Sequence, residues 1–150
     1  MYNLLKFLHV TSIAIWFGGL VTMLLLNRLF TSAGDHATVQ AIGRQGARFS
    51  TRLFLPAVFI TLITGIGMVQ VNDIGFGTTW VLWGIIGLVA SVVIGGVLTG
   101  GTARKLGARI AAGDIDPATI AAMQRRLLMF AIVNMLLLLS IIWAMVAKPS

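Results

Sequence analysis

The chain has 150 residues, of which 58% are hydrophobic and only 10% charged, and its mean hydropathy is +0.98. A soluble domain coats itself with roughly 25% charged residues, so a water-facing surface is excluded. The four acids are all Asp and there is no Cys, which excludes disulfides, thiolate metal sites, iron–sulfur clusters and cysteine nucleophiles. A net charge of +7 would point to nucleic acid in a soluble protein, but here the loops account for it and no nucleic-acid partner is expected.

A bilayer-crossing helix needs about 20 mainly apolar residues, and four runs qualify: 4–26, 53–71, 80–100 and 127–147. They are continuous rather than alternating in polarity, so they read as helices and not barrel strands. The expected fold is all-α, an integral membrane four-helix bundle built from two hairpins, with residues 1–150 as a single transmembrane domain. No convincing small-residue cleavage site follows the first run, which reads as a retained helix and not a signal peptide.

Orientation follows from the basic residues. The side holding both termini and the short connector carries Lys6 and Lys148. The other carries Arg28, Arg44, Arg48, Arg52, Arg104, Lys105, Arg109, Arg125 and Arg126. Basic loops are retained in the cytoplasm, so both termini are expected outside a multi-pass protein of the inner (cytoplasmic) membrane. In the first basic loop, Arg44, Arg48 and Arg52 recur every four residues while Val39, Ile42 and Phe49 fall mainly on another face. That pattern predicts a short amphipathic helix on anionic headgroups. In the second, Asp116-Pro117 reads as an N-cap with Pro at the first helical position, so the last helix is expected to begin there, before the membrane.

Lipid tails are as apolar as Leu, so close packing must come from small residues. The third span offers Gly87, Ser91, Gly95 and Thr99, the first Ala14, Gly18 and Thr22, and the second Thr61 and Gly65. Asn134 in the fourth is expected to make a polar contact between helices. Pro56 either starts the second span or kinks it. A homodimer is expected through the first or third span, with His9 near the interface and the third-span stripe as a candidate face.

One ionisable group lies clearly within a span, His9, and such groups are functional candidates because they are costly in lipid. The other histidine, His36, belongs to the loop across the membrane. Imidazole ligates haem iron, copper and zinc. Met68 and Met145 are expected at a depth comparable to His9, and Trp16, Trp80, Trp83 and Trp143 in the same outer half. Lys6 lies three residues before His9. A haem with iron on His9, its ring among Trp16, Gly18, Trp80 and Trp83, and propionates near Lys6 suits this set. The plainer alternatives are an aromatic belt, methionine as core filler, and a histidine that only bonds a neighbouring helix.

The segments Lys6-Phe-Leu-His9, Trp16-Phe-Gly-Gly-Leu and Arg28-Leu-Phe resemble the first helix of the membrane-bound HemJ-type protoporphyrinogen oxidase family. Arg52-Leu-Phe with Pro56-Ala resembles its second span, and Lys148-Pro149 its closing motif. The first helix is also similar to that of the copper-resistance D (CopD) domain family, which reads His, then Trp-x-Gly-Gly. The oxidase family has a Lys early in its third span where Gly84 stands here, and Arg28 comes about one turn later than in that family. The resemblance implies a haem b ligand at His9 and not the oxidase reaction itself.

Three functions stay open on the sequence. The first is a haem b-binding membrane protein in electron transfer or porphyrin handling, working with a redox partner or quinone. The second is a copper-handling protein using His9 with Met68 or Met145, since thioether and imidazole suit Cu(I). The third is a non-catalytic assembly subunit with a structural His9. One buried His per chain leaves the sixth iron position to Met68, Met145, water or a second copy, which motivates the expected homodimer.

Overall fold

The computed structural model describes residues 1–34, 38, 45, 48, 50–113 and 116–148. Among them the chain is helical, and four helices are long and apolar enough to cross a membrane. Helix α1 runs Tyr2–Ser32. A π-helical turn, Ser50–Phe54, leads into α2, Leu55–Val71. Helix α3, Thr79–Val92, continues through a π-helical segment, Val93–Thr99, into α4, Gly100–Ala111. Helix α5 runs Pro117–Ala147.

The helices are longer than the apolar runs because a helix does not end where the hydrocarbon does. The 33 residues Thr79–Ala111 extend about 50 Å at 1.5 Å per residue, against a hydrocarbon core of about 30 Å. The last helix begins where the sequence places it. Asp116 caps it by accepting from the Thr119 N–H at 2.9 Å, with Pro at the first turn. Gly113 ends α4 with φ +76°, a backbone that L side chains rarely adopt. Pro56 lies in the first turn of α2, directly after the π turn, and so starts that helix. The amphipathic helix expected around Val39, Ile42, Arg44 and Phe49, together with His36 and Pro149, falls outside the described residues.

Packing divides into two antiparallel hairpins. Helix α1 lies along α2, α3 lies along α5, and the two pairs meet through α1 and α5. Trp16, Ala57, Leu138 and Ile141 form the buried centre, with Leu88 packed on it from α3. Large apolar side chains such as Leu4, Ile63, Ile86, Leu136 and Trp143 point outward. In water such a surface would aggregate; in lipid it is the required exterior.

Each hairpin has a seam where backbones approach. Between α3 and α5 it runs through Gly84, Gly87, Ser91 and Gly95. A methyl on Gly87 would lie 2.5 Å from Cδ1 of Ile141, Gly84 is covered by the Met145 side chain, and Gly95 faces Nδ2 of Asn134. Ser91 Oγ donates to Asn134 Oδ1 at 2.6 Å, the contact between helices that the sequence implied for Asn134. The stripe expected as a dimer face is therefore used inside the chain, filled by α5. That moves any homodimer contact to the lipid-facing sides. On α1, Gly18 has open space where a side chain would stand, and Gly19 makes the close approach, against the Phe54 ring.

Candidate functional site around His9

His9 is 8% exposed and sits on the α1–α2 seam. The seam residues of α1 are Leu5, His9, Ser12, Trp16 and Gly19, spaced four and three apart, as helix packing at a shallow angle requires. Facing them on α2 are Gly67, Gly65, Thr64, Thr61, Ala57 and, just before it, Phe54. Gly65 makes room for the imidazole: a methyl there would come 3.1 Å from His9 Cε1.

The ring is held at one nitrogen. Nδ1 lies 2.9 Å from the backbone carbonyl of Thr61 and 3.1 Å from Thr64 Oγ1. A carbonyl can only accept, so the proton belongs on Nδ1. The Thr64 hydroxyl gives its own hydrogen to the Ile60 carbonyl at 2.5 Å, so toward His9 it too accepts. Nε2 is then the unprotonated nitrogen, with its lone pair available. No hydrogen bond to Nε2 is present among the described residues. A second polar atom in this seam, Thr61 Oγ1, is buried without a partner. Ser12, by contrast, is satisfied within its own helix, donating to the Leu8 carbonyl at 2.7 Å.

The other residues expected around His9 disperse. Trp16 is buried in the central cluster and Met145 packs against that cluster. The Met145 side chain is seated on Gly84, in the α3–α5 seam. Met68 is half-buried on α2. Trp83 is exposed and donates to Ser140 Oγ at 3.2 Å, while Trp80 lies under Lys148, whose ammonium is 5.6 Å from the ring centroid. Lys6 is exposed, in a shallow furrow with Asn3, Phe7 and Val10 on the outer flank of α1. A Cβ on Gly18 would meet nothing within 4 Å. Among the described residues no three of His, Cys, Asp or Glu converge, so a metal would rest on His9 with softer or external ligands. Sequence reasoning missed Thr61 and Thr64 as the partners of His9. A Thr at each of two positions three apart on a facing helix was the available signal.

Fold and seam together define an integral membrane protein of four helices with one anchored histidine within a span. Residues 3–149 match the family described as "Predicted integral membrane protein (DUF2269)", and the chain belongs to that family. The match establishes a membrane family and does not extend to the oxidase or copper-resistance families that the first helix resembles. No curated protein and no solved structure matches the chain.

Proposed function

We propose that this chain is a haem b-binding membrane protein in electron transfer or porphyrin handling, with His9 Nε2 as the iron ligand. The observation that carries the proposal is the bond from His9 Nδ1 to the Thr61 carbonyl. Ligand histidines generally donate their second nitrogen to a carbonyl or carboxylate, which fixes the tautomer and ring angle and raises basicity at the ligating atom. The orphaned Thr61 hydroxyl fits a seam that holds something besides protein. Bound haem would supply a one-electron centre or a porphyrin-handling surface. The chain itself supplies the anchored imidazole, a close approach at Gly65, and a lipid-facing exterior that keeps water from the site.

The test is an absorption spectrum of protein purified in mild detergent after expression with ample haem. A Soret band in the wild type, lost in a folded His9→Ala variant, is expected. A wild type that stays colourless under haem titration overturns the proposal; stoichiometric copper in that protein would select the copper reading, and neither would leave His9 as a contact between helices.

We further propose the orientation with both termini outside, supported by the distribution of basic residues. Cysteines introduced at Thr78 and Ala112 test it: Thr78→Cys is expected to label from outside, Ala112→Cys only after permeabilisation. The reverse pattern would invert the molecule.

A further inference from the structure

At the end of the bundle opposite the termini, six cations lie just beyond the apolar runs: Arg28 on α1, Arg52 before α2, Arg104 and Lys105 on α4, and Arg125 and Arg126 on α5. All are exposed, and none has a hydrogen-bond or ion-pair partner among the described residues. The one described acid at this end, Asp116, is engaged by the Thr119 N–H. Six exposed cations without a partner among the described residues suit an external anion.

Depth identifies the anion. The α3–α5 pairing of Gly87 with Ile141 and of Gly95 with Asn134, continued along the two helices, sets Arg104 within a turn of Arg125. Leu106 and Ile110 on α4, and Ile120, Met123 and Leu127 on α5, are the half-buried positions of this extension, so the four cations stand on its outer sides. Arg104 and Lys105 come four to five residues after Gly100, about 6–8 Å of helix rise. The headgroup layer on one side of a bilayer is about 5–8 Å thick. The quartet therefore lies at the level of lipid phosphates, where a soluble acidic protein or nucleic acid meets it only by displacing headgroups. On α1 the same level carries Arg28 above an apolar furrow lined by Leu25, Leu26 and Leu29, a surface suited to an acyl chain beneath a phosphate.

We propose that this basic end is a binding surface for anionic phospholipid, with Arg104, Lys105, Arg125 and Arg126 holding the phosphates. Four cations on two adjacent helices suit a lipid with two phosphates better than one with a single phosphate. Arg28 and Arg52 extend the surface around the bundle. The proposal does not depend on haem at His9.

Native mass spectrometry of the detergent-purified chain, titrated with cardiolipin or with phosphatidylcholine, tests it. The wild type is expected to retain cardiolipin about tenfold over phosphatidylcholine, as juxtamembrane basic clusters retain anionic lipid. The variant Arg104→Gln/Lys105→Gln/Arg125→Gln/Arg126→Gln is expected to lose the preference while keeping its helical circular dichroism, and Arg28→Gln to weaken it only slightly. Equal retention of the two lipids by the wild type, or a preference that survives in the quadruple variant, overturns the proposal. If the quadruple variant does not fold, the wild type still decides. Raising salt from about 50 to about 500 mM shortens the screening length severalfold and is expected to erase the preference; an unchanged preference overturns the proposal. A wild type indifferent to lipid that captures a polyglutamate peptide would make the surface a protein-docking face and likewise overturn it.

Discussion

The two hairpins bury polar groups in different ways. Between α3 and α5, Ser91 and Asn134 are 1% and 3% exposed and bond side chain to side chain. Each is the other's partner, and the pair ties two helices in a medium that offers no water. Between α1 and α2, His9 bonds a backbone carbonyl and a hydroxyl through one nitrogen and leaves the other uncommitted, beside an orphaned threonine hydroxyl. A polar group that ends in a neighbouring side chain is glue. One that is anchored on one side and open on the other has the form of a ligand. On the proposed function, the contrast assigns the iron site to the first hairpin and support to the second.

The sharpest way to break that contrast is to delete one polar group from each hairpin. His9→Ala is expected to abolish the Soret band entirely, whereas Asn134→Leu is expected to leave it in place and act on stability alone. Haem lost equally from both variants would mean that the two seams form one site.

Next in size is overpacking of the second seam. Gly87→Ala would drive a methyl to 2.5 and 2.7 Å from Ile141 Cδ1 and Cγ1. Unfolding in mild detergent should register a loss of about 1–3 kcal/mol. Gly84→Ala should cost less, since it meets only the terminal methyl of a flexible methionine. Equal costs at the two glycines would show that Ile141 can retreat as freely as Met145.

Asn134→Leu itself should cost about 0.6–1.7 kcal/mol, the range for hydrogen bonds between membrane helices. Ser91→Ala should not add to it, because both changes delete one bond. Additive costs in a double-mutant cycle would separate the two side chains.

The smallest effect expected is at the exposed N-cap. A hydrogen bond from the Thr119 side chain to the Asp116 carboxylate, joined by the backbone N–H groups of Thr119 and Ala118 and the charge of Arg109, holds its pKa below the ordinary carboxylate value. The folded pKa lies below the unfolded one, so the stabilisation is present above the unfolded value and lost as pH falls through the folded one. Asp116→Ala should remove this acid-dependent component from the thermal midpoint and leave the neutral-to-basic limb parallel to the wild type. A variant with the wild-type acid profile would dismiss the cap as a contributor.

Much of the fold was legible because lipid imposes length and composition directly: four apolar runs became four helices, Asp116-Pro117 became a cap, and Asn134 became a bond between helices. The partners of His9 were not legible. Whether Thr61 and Thr64 face α1 depends on the rotation of α2 about its axis, which is set by which small residue admits which large one. Gly19 rather than Gly18 receives Phe54 for the same reason, since adjacent glycines lie about 100° apart around a helix. Nor could depth alone bring Trp83, Lys6 and Met145 together, because equal height on different helices says nothing about azimuth.

The π-helical segment Val93–Thr99 bears on azimuth directly. Across it the half-buried positions step by five, from Ile94 and Gly95 to Thr99 and Gly100, and Thr99 Oγ1 reaches back five residues to the Ile94 carbonyl at 2.8 Å. The segment accommodates one residue more than the α-helical count and so works as a phase shifter. It lets the glycine seam inside the bilayer and the Leu106–Ile110 stripe beyond it keep the same partner helix. Deleting one residue there would restore α-helical pitch and swing α4 by about 100° relative to α3. Arg104 and Lys105 would rotate with it, while Arg125 and Arg126 stayed where they are.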